Sequence, residues 1–251
     1  MFKKLLPLLF LFAGFQVNAA LIANWSFDEG TGGVAVDSSG SLLNHDLTLV
    51  GGYSWNTSGK FGNALNTPIG SYGVMNIDNI DIGSNWTISG WFKDYHLTGD
   101  WNTLTRGTAD HQILGEAGSE ILGAYDNYSG SAMHGNDNNF AMTSLASSVW
   151  HNIVAVGAGG DTDYYINGLL VGTSNFQSLT DVHWIGGLGS GQTFAGSIDD
   201  VGLWDEALSS ADILTLQSIE ANNIHAVPEP SLIVLFGLGL VGIGLARRRQ
   251  S

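Results

Sequence analysis

The chain has no cysteine, 4 prolines and only 8 basic residues among 251. Without cysteine no disulfide can brace it, so an exported domain of this composition rests on core burial or on a metal. The shortage of positive charge is sharpest in the middle. Lys3, Lys4, Arg247, Arg248 and Arg249 sit at the two ends, leaving Lys60, Lys93 and Arg106 against every one of the 23 acids except Glu229, a formal net of 3 − 22 = −19. Such a surface repels nucleic acid and anionic lipid headgroups and suits divalent cations, neutral sugars or plain solubility. Helical periodicity is nearly missing as well, and long apolar runs occur only near the termini.

At the N-terminus, Lys3 and Lys4 precede the apolar stretch from Leu5 to Phe15, and small residues close it at Val17-Asn18-Ala19-Ala20. That order marks residues 1–19 as a secretory signal peptide, cut after Ala19 by signal peptidase. At the other end, Pro228-Glu229-Pro230 leads into an uncharged run from Leu232 to Ala246 and then Arg247-Arg248-Arg249. A helix of that run falls just short of the ~20 residues that usually span a bilayer, and it crosses if the arginines snorkel or the bilayer thins. The arginines hold the C-terminus in the cytoplasm and put everything before Val227 on the far side. This tail resembles the PEP-CTERM sorting signal of exported proteins in Gram-negative bacteria. The resemblance implies processing by an exosortase, transient anchoring in the inner membrane by this segment alone, and delivery to the cell envelope or to the extracellular exopolysaccharide matrix of a biofilm. The expected organisation is therefore a signal peptide over 1–19, a folded domain over 20–221, a linker over 222–226 and the sorting signal over 227–251.

Between the signals, short alternating runs are separated by Gly, Asn, Asp and Ser, with Gly at 35 positions. Leu21, Ala23, Trp25 and Phe27 alternate with Ile22, Asn24 and Ser26, and Trp86, Ile88, Gly90 and Phe92 alternate with Thr87, Ser89 and Trp91, the period of half-buried strands. Gly73 to Ile77, His151 to Val156, Thr162 to Ile166 and Leu169 to Val171 read the same way. Asn167-Gly168 joins the last two, a two-residue hairpin signal because both turn positions need positive φ. Phe194 to Trp204 alternates until Asp199-Asp200, where the spacing lengthens and predicts a β-bulge. Only Ser209 to Ala221 looks helical, with Ser209 as N-cap, Asp212 in the capping box, and Ile213, Leu214, Leu216 and Ile219 as its apolar side. Many short strands and one late helix predict an all-β, antiparallel jelly-roll sandwich.

Seven strings, in order, resemble the LamG-like (concanavalin A-like lectin/glucanase) family. They are Trp25 to Gly30, Val36 to Gly40, Gly59 to Leu65, Trp86 to Phe92, Trp150 to Val156, Tyr165 to Gly172 and Ile198 to Ser209. The resemblance implies the concanavalin A-like sandwich over most of the chain, and it leaves function open because this fold hosts lectins, adhesion modules and enzymes alike. It also implies a structural Ca2+ where the first and last strands meet. Carried over, Asp28, Asp37 and Asp199 are the candidate ligands and Asp200 a spare. An acidic domain without disulfides has use for such a clamp, since calcium takes six to eight oxygens. The competing reading makes Asp37 a turn cap and Asp199 and Asp200 solvated edge residues.

Catalysis by a glucanase needs two carboxylates about 5 to 9 Å apart. The Glu-x-Asp-x-x-Glu strand of laminarinase-type relatives is missing, and Glu116 and Glu120, read as one strand, would stand about 13 Å apart. No Ser/His/Asp arrangement or HExxH is present, so the domain is expected not to be an enzyme. Sugar binding pairs flat aromatic rings with hydrogen-bonding side chains. Trp91, on the polar face of its strand, and Trp101, Tyr125 and Tyr128, beside Trp55 in loops rich in Asn, Gly and Asp, are the candidate platforms, while Trp25, Trp86 and Trp150 are assigned to the core. The stretch Asp126 to Ser129 and Gly135 to Asn139 is a further candidate for sugar or calcium. The reading is an exported, non-catalytic module binding an exopolysaccharide, surface glycan or surface protein; a purely structural matrix protein is the alternative, and a glycan hydrolase the third.

Overall fold

The computed structural model describes residues 21–75, 79–95, 100–188, 191–192 and 194–224. The expected signal peptide and the whole sorting segment, including Pro228, Glu229, Pro230, Arg247, Arg248 and Arg249, lie outside these residues. Among the described residues no helix is long and apolar enough to cross a membrane.

Two antiparallel sheets of eight strands each make the sandwich. The first runs in the order Leu169–Ser174, Asp161–Ile166, His151–Ala158, Asn85–Lys93, Gly196–Trp204, Ala64–Thr67 and Ser54–Asn56, with Leu21–Trp25 also paired to Gly196–Trp204. The second runs Ala132–Gly135, Leu122–Asp126, His111–Gly115, Asn102–Arg106, Trp184–Ile185, Tyr72–Met75, Leu47–Val50 and Val34–Ala35. A two-stranded piece, Ile80–Asp81 with Asp181–Val182, adds Ile80 and Val182 to the core.

Alternation builds the layer between the sheets. Ala23, Trp25 and Phe27, then Trp86, Ile88 and Phe92, all point into one cluster with Leu104, Ile113, Leu122 and Ile185 from the facing sheet. Buried aromatic side chains of this size each contribute roughly 1.5–3 kcal/mol by leaving water. Their polar atoms are met: Trp25 Nε1 donates to the His45 carbonyl and Trp86 Nε1 to that of Ser178, both at 2.8 Å. Tyr164 reaches across the sandwich, its hydroxyl donating to the Gln112 carbonyl at 2.9 Å.

The first sheet is buried on its outer face too. Val154, Val156, Tyr165 and Trp204 form a second cluster with Ile213, Leu216, Ala221 and Ile224. The helix that closes it spans Ser210–Thr215, and its Ser209–Asp212 capping box forms as the sequence predicts. Ile213 and Leu216 face the sheet, while Leu214 stays exposed. A 3-10 turn over Ala221–Asn223 and the buried Ile224 carry the fold past the expected boundary at 221. Trp91, Ser89 and Thr87 take the polar positions of their strand yet are buried, Trp91 beneath Phe61 and Lys60. Thr87 Oγ1 donates to the Glu206 carbonyl and Ser89 Oγ accepts from Asn152 Nδ2.

The hairpin at Asn167-Gly168 is present with φ of 51° and 81°. The bulge is present as well: pairing with Asn85–Lys93 slips between Asp199 and Gly202, and Asp200 takes a φ of 44°. Trp150 is only half-buried, with Lys93 Nζ 5.8 Å from its ring, because it precedes rather than joins the strand that begins at His151. Trp55 and Tyr125 lie on strands rather than loops.

Candidate functional site

Two bulges create the site. Along Asn102–Arg106 and His111–Gly115 the register slips on either side of Ile113, so that His111 is paired with both Arg106 and Tyr125. Trp184 is paired with Arg106 from the next strand. Paired residues on neighbouring strands share a face, so Tyr125, His111, Arg106 and Trp184 form one row on the outer face of the second sheet. Ile113 and Ile185 turn inward beside them.

Trp101, just before the Asn102–Arg106 strand, bridges to Gln192 and stands edge-on to Tyr125 with ring centroids 5.1 Å apart. Tyr125 meets the His111 ring in the same manner at 5.8 Å. Trp101, His111, Tyr125, Asn127 and Gln192 together line an open pocket of about 90 Å³. Asn127 is set by the turn that follows Tyr125, where Asp126 Oδ1 accepts from the backbone N–H groups of Tyr128 and Ser129. The Asn127 backbone donates to Asp110 Oδ1 at 3.2 Å, and its Nδ2 donates to the Ala109 carbonyl.

Hydrogen bonding orients both amides. Gln192 Oε1 accepts from Arg106 Nη1 and from His111 Nε2, which leaves the Gln192 Nε2 hydrogens as donors. Asn127 Nδ2 is engaged by Ala109, which leaves Oδ1 as an acceptor. His111 is 3% exposed. Burial, then the Arg106 charge, push its pKa down to about 4 against the opposing hydrogen bond from Gln192. The imidazole is therefore neutral near pH 7. A donor amide, an acceptor amide and two aromatic rings converge here, and none of the five lining side chains is a carboxylate.

Of the sequence-predicted platforms, Trp101 and Tyr125 come together in this pocket. Tyr128 stands 86% exposed on the adjoining turn, outside the lining. Trp91 lies elsewhere, 3% exposed on the first sheet, edge-on to Phe61 and 4.0 Å beneath Lys60 Nζ. Sequence reasoning missed His111, Arg106 and Gln192. Asn127 lay inside a stretch it singled out. Glu116 and Glu120 do not share a strand but flank a tight turn, in which Glu120 N donates to the Glu116 carbonyl at 2.8 Å, so the 13 Å spacing expected of them does not apply.

The four aspartates proposed for calcium fall into separate sets. Asp37 Oδ1 accepts from the Asn24 and Ser39 backbones, and Oδ2 faces His45. Asp200 accepts from Asn24 Nδ2 and from the Ala221 backbone. Asp28 and Asp199 converge instead on one turn: Asp28 Oδ1 accepts from Asn63 N, and Asp199 Oδ2 from Lys60 N and Phe61 N. Asp199 is fully buried and its Oδ1 has no hydrogen-bond partner among the described residues. Burial first, then the charges of Asp200 and Asp28, drive its pKa up to about 8 against the two backbone donors. Among the described residues no three His, Asp or Glu side chains are grouped to hold a metal. Asp28 and Asp199 thus approach the same turn, while both oxygens of Asp37 and of Asp200 face hydrogen-bond donors elsewhere.

A model of the concanavalin A-like lectin/glucanases superfamily matches residues 69–214. The chain belongs to this superfamily. Residues 226–250 match the PEP-CTERM protein-sorting motif. No curated protein sequence matches the chain. Among solved structures, this superfamily member is similar to domain 4 of AbnA, an extracellular arabinanase of Geobacillus stearothermophilus in complex with arabinotriose. Identity is 18% and the TM-score 0.61, over 80% of this chain and all of that one. It is also similar to the sialidase of Trypanosoma rangeli, at 16% identity and a TM-score of 0.56 over 78% of this chain, and it spans only 32% of that enzyme. The binding domain of Paraclostridial Mosquitocidal Protein 1 is similar at 14% identity and a TM-score of 0.57, over 79% of this chain and 52% of that one. At these identities the likeness is one of fold.

Proposed function

We propose that this sorted, exported protein is a non-catalytic glycan-binding module of the cell envelope or exopolysaccharide matrix, and that the Trp101–Gln192 pocket is its sugar site. One observation carries the reading: aromatic rings and two oriented amides, one donating and one accepting, line a pocket free of carboxylates. The rings offer apolar surface to the C–H face of a sugar, and the amides suit neighbouring hydroxyls. A glycosidase would need two carboxylates flanking the bond, and here the nearby Asp110 and Asp126 are turned to backbone N–H groups. A domain of the same fold in complex with arabinotriose supports the reading. Its small volume suits one ring of a chain. The test is a glycan array probed with the full chain purified in detergent: binding that is lost in Trp101→Ala and Tyr125→Ala supports it, and a blank array with folded wild type sinks it.

We also propose that Asp28 and Asp199 hold a structural calcium ion, with backbone carbonyls and water as the remaining ligands. The unpartnered, buried Oδ1 of Asp199 supports this assignment. The ion would neutralise a buried carboxylate that the fold otherwise keeps protonated.

A further inference from the structure

Arg106 is one of only three basic residues between the terminal signals, and it is 7% exposed beside the pocket. Its Nε donates to the Gly107 carbonyl at 3.0 Å, its Nη1 to Gln192 Oε1, and its guanidinium lies 5.1 Å from the centre of the Trp184 ring. All three partners are neutral. Among the described residues no carboxylate comes within ion-pair distance of it. The nearest charge acting on it is that of Asp181, beyond ion-pair distance; Asp181 Oδ1 accepts from Thr108 N and Thr108 Oγ1, and its buried Oδ2 has no hydrogen-bond partner among the described residues.

A cation withdrawn from water without a counter-ion is expensive to keep. Here it is held in place by a stacked indole and by the amide that forms the pocket wall. Its charge reaches the pocket through Gln192, whose amide hydrogens face outward because the oxygen is occupied. The opposite end of the pocket, at Asn127, is backed by Asp110 and Asp126. The site is therefore polarised, positive at Gln192 and negative behind Asn127. The acids spread over the rest of the surface act weakly at this spot, since the screening length is about 8 Å at physiological salt.

We propose that the pocket takes an acidic sugar, a uronic acid residue of a polysaccharide, with its carboxylate on the Gln192 side and Arg106 as its counter-charge. This rests on the glycan-binding reading and names the ligand class for it; the acidic composition alone argues for neutral sugars. Arg106 serves as a specificity-determining residue, acting through Gln192.

Calorimetry on the full chain purified in detergent tests the assignment with two probes, trigalacturonate and its fully methyl-esterified form. These share rings and hydroxyls and differ in charge. The acid binds about tenfold tighter than the ester, and the gap narrows as salt is raised. Arg106→Gln keeps donors for Gly107 and Gln192 and brings the two probes to equal affinity. Gln192→Glu supplies the missing carboxylate within the protein, so its Tm rises while the preference for the acid is lost. Should Arg106→Gln fail to fold, Gln192→Glu alone decides: a folded Gln192→Glu that still prefers the acid overturns the proposal. Equal or tighter binding of the ester by wild type overturns the acid preference and leaves the glycan site standing. Silence of both probes together with a blank glycan array overturns both.

Discussion

His111 Nε2 lies 3.1 Å from Gln192 Oε1, the same oxygen that accepts from Arg106 Nη1. An amide oxygen only accepts, so the proton of the neutral imidazole is on Nε2, and Nδ1 faces Asn127 Nδ2 as an acceptor at 3.4 Å. The pocket floor is thus one chain of hydrogen bonds running from Arg106 to Asn127. His111 titrates at about 4, below its usual 6.5. A depressed histidine stabilises the fold fully above pH 6.5, and the contribution is lost as pH falls from there to about 4. Glycan affinity should stay level from pH 8 to about 5.5 and drop near pH 4, because protonated Nδ1 turns a donor against the Asn127 amide. Calorimetry across that range checks it; a drop centred at pH 6.5 would show a solvated histidine instead.

Trp101 and Tyr125 should matter where Tyr128 and Trp91 do not. Replacing either pocket ring by alanine removes a stacking surface worth about 0.5–1.5 kcal/mol beyond its contact area, so affinity should fall by tenfold or more. Tyr128→Ala should change affinity by less than about twofold, since its ring stands in solvent outside the lining. Equal losses at Tyr128 and Trp101 would move the binding surface onto the turn.

Asp199 makes stability fall as pH rises. Its folded pKa of about 8 stands above the ordinary 3.8, so its stabilising contribution is complete below pH 3.8 and is lost on ionisation up to about 8. Asp200, raised to about 6 chiefly by burial, acts in the same direction lower down. Between about pH 7.5 and 8 His111 is essentially neutral folded or unfolded, and Asp199 dominates. Thermal melts without calcium should show Tm decreasing through that window, with a slope of at most about 1.4 kcal/mol per pH unit. Asp199→Asn should flatten it, and a wild-type profile that is already flat would place Asp199 in contact with solvent.

Calcium should reverse that slope. At pH 8, close to the folded pKa of Asp199, the ion has only the remaining half of the protons to displace and gains an ionised carboxylate. A hundredfold excess over Kd then adds about 2.7 kcal/mol and raises Tm. The shift should vanish in Asp28→Asn and Asp199→Asn and survive in Asp200→Asn, whose oxygens are engaged by Asn24 and Ala221. No wild-type shift between calcium and chelator removes the ion from this structure altogether.

Gly157→Ala tests the packing of paired residues within the first sheet. A Cβ at Gly157 would come within 2.2 Å of the Trp86 indole, which is pinned by its bond to Ser178. Overpacking of this kind costs roughly 1–3 kcal/mol, read as a lower midpoint in urea with an unchanged slope.

Much of the scaffold could be read from short-range stereochemistry. The alternation of Trp86, Ile88 and Phe92, the positive φ demanded by Asn167-Gly168 and the Ser209–Asp212 capping box are decided within a few residues, and each appears as expected. Leu214 and Trp91 show the limit. A single strand or helix reveals that two faces differ but not what lies against each. Thr87 and Ser89 put Trp91 on the polar face of its strand, and the structure covers that face.

By itself the sequence determined the C-terminal sorting motif, the two-layer β class and the positions of turn, bulge and cap, because those depend on neighbours along the chain. Only the tertiary structure decided the site. His111 meets Tyr125 and Arg106 because two register slips bring them into one row, and Gln192 reaches Arg106 from 86 residues away. Register across several strands is set by closure of the sheets on a shared core, a balance of all their contacts at once, and no local pattern of residues encodes it.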